Sequence, residues 1–238
     1  MRGNMKRYAL PFSLALLLLG PVFCFAQSDP AAADQELAAM KQKAQAGDAD
    51  AQIQLGMRSA MTAHPDMPEA MKWFRMAADR GSAKGQLHLG AVYDVGLNPP
   101  DPAQAVKWYT LAARQGLKDA EFRLAQMYDK GRGVPQDESQ AARWYTKAAL
   151  QGRADAQARL GEMYEKGQGV KQSYADAMKW YLSAADQGRP EAEYRLGHMY
   201  EMGLGTNKSK QEALAWYQKS SAHGYPDATE AMKGLESQ

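Results

Sequence analysis

Along most of this chain the apolar positions recur at two helical spacings in alternation. Alanine, leucine and tyrosine stand at i, i+4 and i+8 as Ala120, Leu124 and Tyr128, again as Ala156, Leu160 and Tyr164, and again as Ala192, Leu196 and Tyr200. That spacing puts all three on one helix face. A second stripe follows at i, i+3, i+4, i+7 and i+8, as Ala141, Trp144, Tyr145, Ala148 and Ala149, with copies from Ala105 and Ala177. It predicts a second, buried amphipathic helix. The residue after the leucine is small each time, Gly56, Gly90, Ala125, Gly161 or Gly197. Close approach of a neighbouring helix there would outweigh the helix penalty of glycine, about 1 kcal/mol.

The alternation is periodic. Tryptophans fall at 73, 108, 144, 180 and 216, and closing glycines at 81, 116, 152, 188 and 224, every interval being 35 or 36 residues. A period of this size predicts a stacked array of helix pairs. Because the Trp-Tyr pair recurs in four units, with Trp73-Phe74 in its place in the first, it is expected in a core and not in an aromatic cofactor box. Asp66, Asp101, Asp137, Ser173 and Ser209 precede the second helices as N-cap types, each followed three residues later by Glu69, Gln104, Gln140, Asp176 or Glu212. A capping box explains these carboxylates better than acid-base pairing does. Gly-x-Gly at 131–133, 167–169 and 203–205 lies between the two helices; without a preceding strand or a following Lys-Ser/Thr it reads as a turn, not as a phosphate cradle.

Composition changes the picture at the N-terminus. Arg2, Lys6 and Arg7 precede an apolar run ending at Ala26, the pattern of a signal peptide cleaved after Ala26. Two alternatives remain. Tyr8 to Ala26 is long enough for an uncleaved anchor, and Cys24 could be acylated, although Phe23 is large for that. Export predicts a periplasmic or secreted protein. Beyond the leader there are 26 basic and 27 acidic residues, so the basic excess of a nucleic-acid binder is missing. Cys24 is the only cysteine, which leaves the mature chain no disulfide, thiolate metal site or thiol nucleophile.

Residues 153–188, with Ala156, Leu160, Gly161, Tyr164, Gly167, Gly169, Val170, Ala177, Trp180, Tyr181, Ala184, Ala185 and Gly188, resemble the Sel-one-like repeat, a relative of the tetratricopeptide repeat. The resemblance runs over roughly residues 47–224. It divides the chain into a signal peptide (1–26), a linker and capping helix (27–46), five repeats (47–81, 82–116, 117–152, 153–188 and 189–224) and a C-terminal capping helix and tail (225–238). The resemblance implies an all-α, right-handed α-solenoid of helix-turn-helix repeats whose members serve mainly as adaptors in protein complexes. A cysteine-rich branch of the family is linked to β-lactam binding and hydrolysis. A mature chain without cysteine departs from that branch.

A binding site is expected on the concave face. The position before the leucine reads Gln54, His88, Arg123, Arg159, Arg195, and stacking would align the three arginines. Phe122 and Tyr194 flank this row, with Gln126, Glu162 and His198 one turn on. Such a surface could clamp the carboxylates of a peptide or an anionic glycan. The competing structural reading pairs each arginine with the acid four residues earlier, Asp119, Asp155 or Glu191, for about 0.2–0.5 kcal/mol apiece. His64, His88, His198 and His223 lack metal-ligand spacing, and no nucleophile motif is legible. The sequence therefore predicts an exported protein-binding adaptor or scaffold for a protein or peptide partner. It predicts no cofactor, metal or catalytic residue, no nucleic-acid partner, and no membrane span after signal removal. The alternative is an envelope enzyme or enzyme accessory acting on a glycan, peptidoglycan or β-lactam.

Overall fold

The computed structural model describes residues 30–237, which form twelve α-helices and no strand. The leader and its cleavage site lie outside the described residues. Helix α1 (Pro30–Ala46) precedes five pairs: α2 (Ala49–Ala60) with α3 (Met67–Asp79), α4 (Ala83–Ala91) with α5 (Pro102–Arg114), α6 (Lys118–Lys130) with α7 (Glu138–Leu150), α8 (Ala154–Lys166) with α9 (Tyr174–Ala185), and α10 (Pro190–Met202) with α11 (Lys210–Ala222). Helix α12 (Pro226–Glu236) follows. Consecutive helices pack on one another within α1–α5 and within α7–α12. The fold is the expected all-α array of helix-turn-helix repeats, and both terminal helices are present.

The chain divides into two compact units with a border inside α6. One holds the residues up to Ala120 together with Arg132–Val134; the other holds Glu121–Gly131 and Pro135–Gln238. In the first, Phe74 is fully buried among Ile53, Ala70, Ala77, Leu89 and Val92. In the second, Tyr145 and Tyr181 take the same place among Ala141, Ala148, Leu160 and Met163, and among Ala177, Ala184, Leu196 and Met199.

The tyrosine of each Trp-Tyr pair is thus the core residue, which corrects the expectation of a buried tryptophan ladder. Tyr109, Tyr145, Tyr181 and Tyr217 are all but inaccessible, whereas Trp108, Trp144, Trp180 and Trp216 are half-buried; Trp73 alone is buried. The reason lies in the small residue of the first helix. A Cβ on Gly161 would stand 2.7 Å from the ring of Tyr181, and Gly90 and Gly197 meet Tyr109 and Tyr217 in the same way. Glycine is present because an aromatic ring lies flat against the backbone of the partner helix. The tryptophan beside it lies on the flank, where Lys147 and Lys219 each lie 4.2 Å from the ring centroid of Trp144 and Trp216.

The turns follow the sequence. Asp66, Asp101, Asp137, Ser173 and Ser209 each accept a hydrogen bond from the amide three residues on. The other half of the box differs from expectation. The N-cap amides of Asp101, Asp137, Ser173 and Ser209 donate to the carbonyls of Tyr93, Tyr128, Tyr164 and Tyr200, closing the turn onto the end of the first helix. Asp101 lies one residue nearer its tyrosine than the others do, and here α4 runs on as a π-helical turn, Val92–Gly96. The interval of 35 and the missing Gly-x-Gly of this repeat have one cause. Gly169 needs its glycine twice, for a φ of +66° and because a Cβ would collide with the Glu138 carbonyl at the start of α7. The Gly-x-Gly turn therefore also sets the contact with the preceding repeat.

Candidate functional site

An acid follows the tyrosine of the first helix in four repeats, as Asp94, Asp129, Glu165 and Glu201. In the second unit the buried tyrosine of the paired helix donates its hydroxyl proton to it. Tyr145 reaches Asp129 at 3.2 Å, Tyr181 reaches Glu165 at 2.6 Å, and Tyr217 reaches Glu201 at 2.7 Å. Burial first, and then the adjacent carboxylate, raises the pKa of all three phenols, so each stays a donor.

The arginines of the next repeat complete this network. Arg159 donates from Nε to Oδ2 and from Nη2 to Oδ1 of Asp129 at 3.0 and 2.9 Å, and from Nη1 to Glu162 at 2.5 Å. Arg195 stands 3.9 Å from Glu165. Burial opposes the Arg159 charge, but the bonds it donates to Asp129 and Glu162 outweigh this and raise its pKa. Burial likewise opposes ionisation of Glu162, and Lys166 with Arg159 reverse the effect and hold its carboxyl below the ordinary range. The expected pairing of Arg159 with Asp155 four residues earlier does not form. Asp155 instead faces Arg153 at 3.4 Å and Arg189. The geometric reason is that the Arg159 fork reaches both oxygens of a half-enclosed carboxylate on the preceding repeat, a better match than a single exposed contact on its own helix.

The remaining candidates divide. Arg123 donates to Gln126 at 3.0 Å. Phe122 is buried against Tyr145 with ring centroids 5.7 Å apart, so most of it belongs to the core. Tyr194 lies between Tyr217 and Tyr225 at 5.5 and 5.2 Å. The buried Nδ1 of His198 has no hydrogen-bond partner among the described residues. Two clefts open on the first-helix side of the second unit. One, of about 430 Å3, is lined by Phe122, Gln126, Asp129, Lys130, Tyr145 and Arg159. The other, of about 390 Å3, is lined by Arg159, Glu162, Tyr181, Arg189, Glu191 and Tyr225. Arg159 is common to both, while Arg123, Arg195, Tyr194 and His198 line neither. No group of three or more His, Cys, Asp or Glu side chains among the described residues could hold a metal ion.

Five consecutive matches to the model of the Sel1 repeat cover residues 49–82, 83–117, 118–152, 154–188 and 190–225. The chain belongs to the Sel1 repeat family. Sel1 repeat proteins generally mediate protein-protein interaction, and the family is typically non-enzymatic. A crystal structure of c5321, a protective antigen of uropathogenic Escherichia coli strains with this fold, is similar to the chain at 38% identity and a TM-score of 0.80. The match covers 84% of this chain and 43% of that one. A Sel1 repeat protein from Oxalobacter formigenes is similar at 32% identity and a TM-score of 0.74, over 85% of this chain and 60% of that one. The chain thus spans less than two thirds of the length of both. No curated protein matches it.

Sequence reasoning missed a second recurring contact, along the residue after the repeat alanine. Gln52, Gln86 and Gln157 are buried and donate to the carbonyls of Ala44, Ala78 and Ala149 at the end of the preceding helix. The residue before the closing glycine then bonds back across the pair, as Gln115 to Gln86, Gln151 to Glu121, Gln187 to Gln157 and His223 to Glu193. Burial pushes the Glu121 carboxyl above its ordinary range, against the effects of Lys147 and Gln151. The available signal was a position that is Gln or Glu in all five repeats.

Proposed function

We propose that this chain is an exported adaptor or scaffold that binds a protein partner through the first-helix side of its Sel1 repeats, in the periplasm or outside the cell. The observation that carries this reading is how the repeated side chains are used. The tyrosines, tryptophans, cap residues and buried glutamines are consumed by folding, whereas two clefts that share Arg159 stay open beside them on the first-helix side. The charged n-region and apolar run before Ala26 support export. No described helix is long and apolar enough to cross a membrane.

The test is crosslinked capture from an envelope extract with the full chain, a cleft-blocking Gln126→Trp, Lys130→Glu variant, and Arg143→Glu on the exposed side of α7 as control. Folding is checked by circular dichroism. The expected result is a partner retained by the control and lost by the cleft variant. Equal capture by all three would remove the clefts from the interface, and turnover of a glycan or β-lactam by the purified chain would overturn the adaptor reading.

A further inference from the structure

The acid-tyrosine-arginine network has a vacancy at its C-terminal end. Asp129 holds Tyr145 and Arg159, and Glu165 holds Tyr181 and Arg195. Glu201 holds Tyr217 alone. The residue that should supply the cation, 36 positions after Arg195, is Ala231 on α12, and no basic side chain pairs with Glu201 among the described residues. The N-terminal repeat shows the contrasting case. There the same three positions are Ala60, Phe74 and His88, with the acid, the hydroxyl and the fixed cation all replaced together. Among these four repeats, a carboxylate kept without its cation occurs at Glu201 only.

We propose that Glu201 and Tyr217 form a docking site for an arginine side chain of a partner protein, which supplies the guanidinium that Ala231 of α12 does not. The inference rests on the protein-binding reading above and gives that partner a chemistry. Asp129 shows what the site can take. One of its oxygens accepts both the Tyr145 hydroxyl and the Arg159 Nε, while the other accepts Nη2. Tyr217 occupies Oε2 of Glu201, so the same double contact is open to an incoming fork. The planar fork favours arginine over lysine, whose ammonium can meet only one oxygen at a time. Tyr194 lies against the Tyr217 ring, and Tyr225, Ala231 and Met232 pack on the same core cluster.

The experiment is a titration of the full chain with blocked arginine, lysine and norleucine amides, read by nuclear magnetic resonance at the Tyr217 ring and the amides of the last turn of α10. The arginine probe is expected to bind roughly tenfold more tightly than norleucine, the effect of one charge-assisted hydrogen bond, with lysine between them. Glu201→Gln should abolish the difference. Ala231→Arg should fill the site from within, removing the arginine response and raising Tm. An arginine response no stronger than that of norleucine, or one unchanged in Glu201→Gln, overturns the proposal; the latter decides even if Ala231→Arg misfolds. A dimer in sedimentation that Glu201→Gln dissociates would make the occupant a second copy and overturn the assignment to a partner. Failure of the probe sinks this site alone, because envelope capture tests the adaptor reading at Arg159 independently.

Discussion

The first repeat, in one unit, and the third, in the other, solve one packing problem in two ways. Where the third repeat places Asp129 and Tyr145, met by Arg159 of the fourth, the first places Ala60 and Phe74, met by His88 of the second. In both units, a ring lies against the small residue of its partner helix, Gly56 for Phe74 and Gly161 for Tyr181. A phenol hydroxyl in that position must find an acceptor, the acceptor is a carboxylate, and a half-buried carboxylate calls for a cation. Phenylalanine asks for nothing, and the next repeat simply lays His88 on it, with ring centroids 5.1 Å apart and planes 19° from parallel. A single hydroxyl therefore decides whether the following repeat needs an arginine.

The shared feature of the two units is the ring itself, and removing it should have the largest effect. Tyr181→Ala is expected to cost about 3–5 kcal/mol in a chemical denaturation curve, and a shift in midpoint no larger than that of a surface variant would show that the ring is not the core.

The contrast predicts a pH response at one site and none at the other. Burial, with a smaller contribution from Lys84 and against the pull of Asp119, lowers the His88 pKa from 6.5 to about 4. A lowered folded value means that the stability is fully present above about pH 6.5 and is lost as pH falls through the folded value. The loss should reach about 3 kcal/mol in the first unit. His88→Phe should flatten the pH dependence of its denaturation, and an unchanged slope between pH 6.5 and 4 would place the sensitivity elsewhere. Arg159, in the equivalent position, stays charged over that range.

Converting the second solution toward the first costs less than removing the ring. Tyr181→Phe leaves Glu165 without its hydroxyl donor and should cost about 1–3 kcal/mol, with the near-ultraviolet signal of the fold preserved. The same loss should not appear if Glu165→Ala is introduced with it, because the acid then has no donor to lose.

Trp144→Ala should have the smallest effect, about 1–2 kcal/mol, since this ring is only partly buried on the flank of its helix. A cost equal to that of Tyr145→Ala would restore tryptophan as the core residue. The pair of measurements at 144 and 145 compares the two rings directly, one on the flank under Lys147 and one flat against its partner helix.

Much of this structure could be read from the sequence because it depends on neighbours along one helix. The i, i+4, i+8 faces, the N-caps at Asp137 and Ser173 and the positive φ of Gly169 depend only on local geometry, and all are present. The choice between the tryptophan and the tyrosine could not be read, since both fall on the apolar stripe and only the position of the facing glycine separates them. The partner of Arg159 was hidden for a similar reason. Spacing within a helix offers Asp155, but the carboxylate that captures the guanidinium lies thirty residues back, on another repeat.

The sequence by itself determined the period, the helix pairs, their caps and the family, because each is written in short-range spacing and repeated five times. Tertiary structure alone decided which ring is buried, where each arginine ends and which carboxylate is left without a cation. Those outcomes depend on which atoms two different repeats bring within about 3 Å of each other, the reach of a hydrogen bond, and no one-dimensional pattern records that distance.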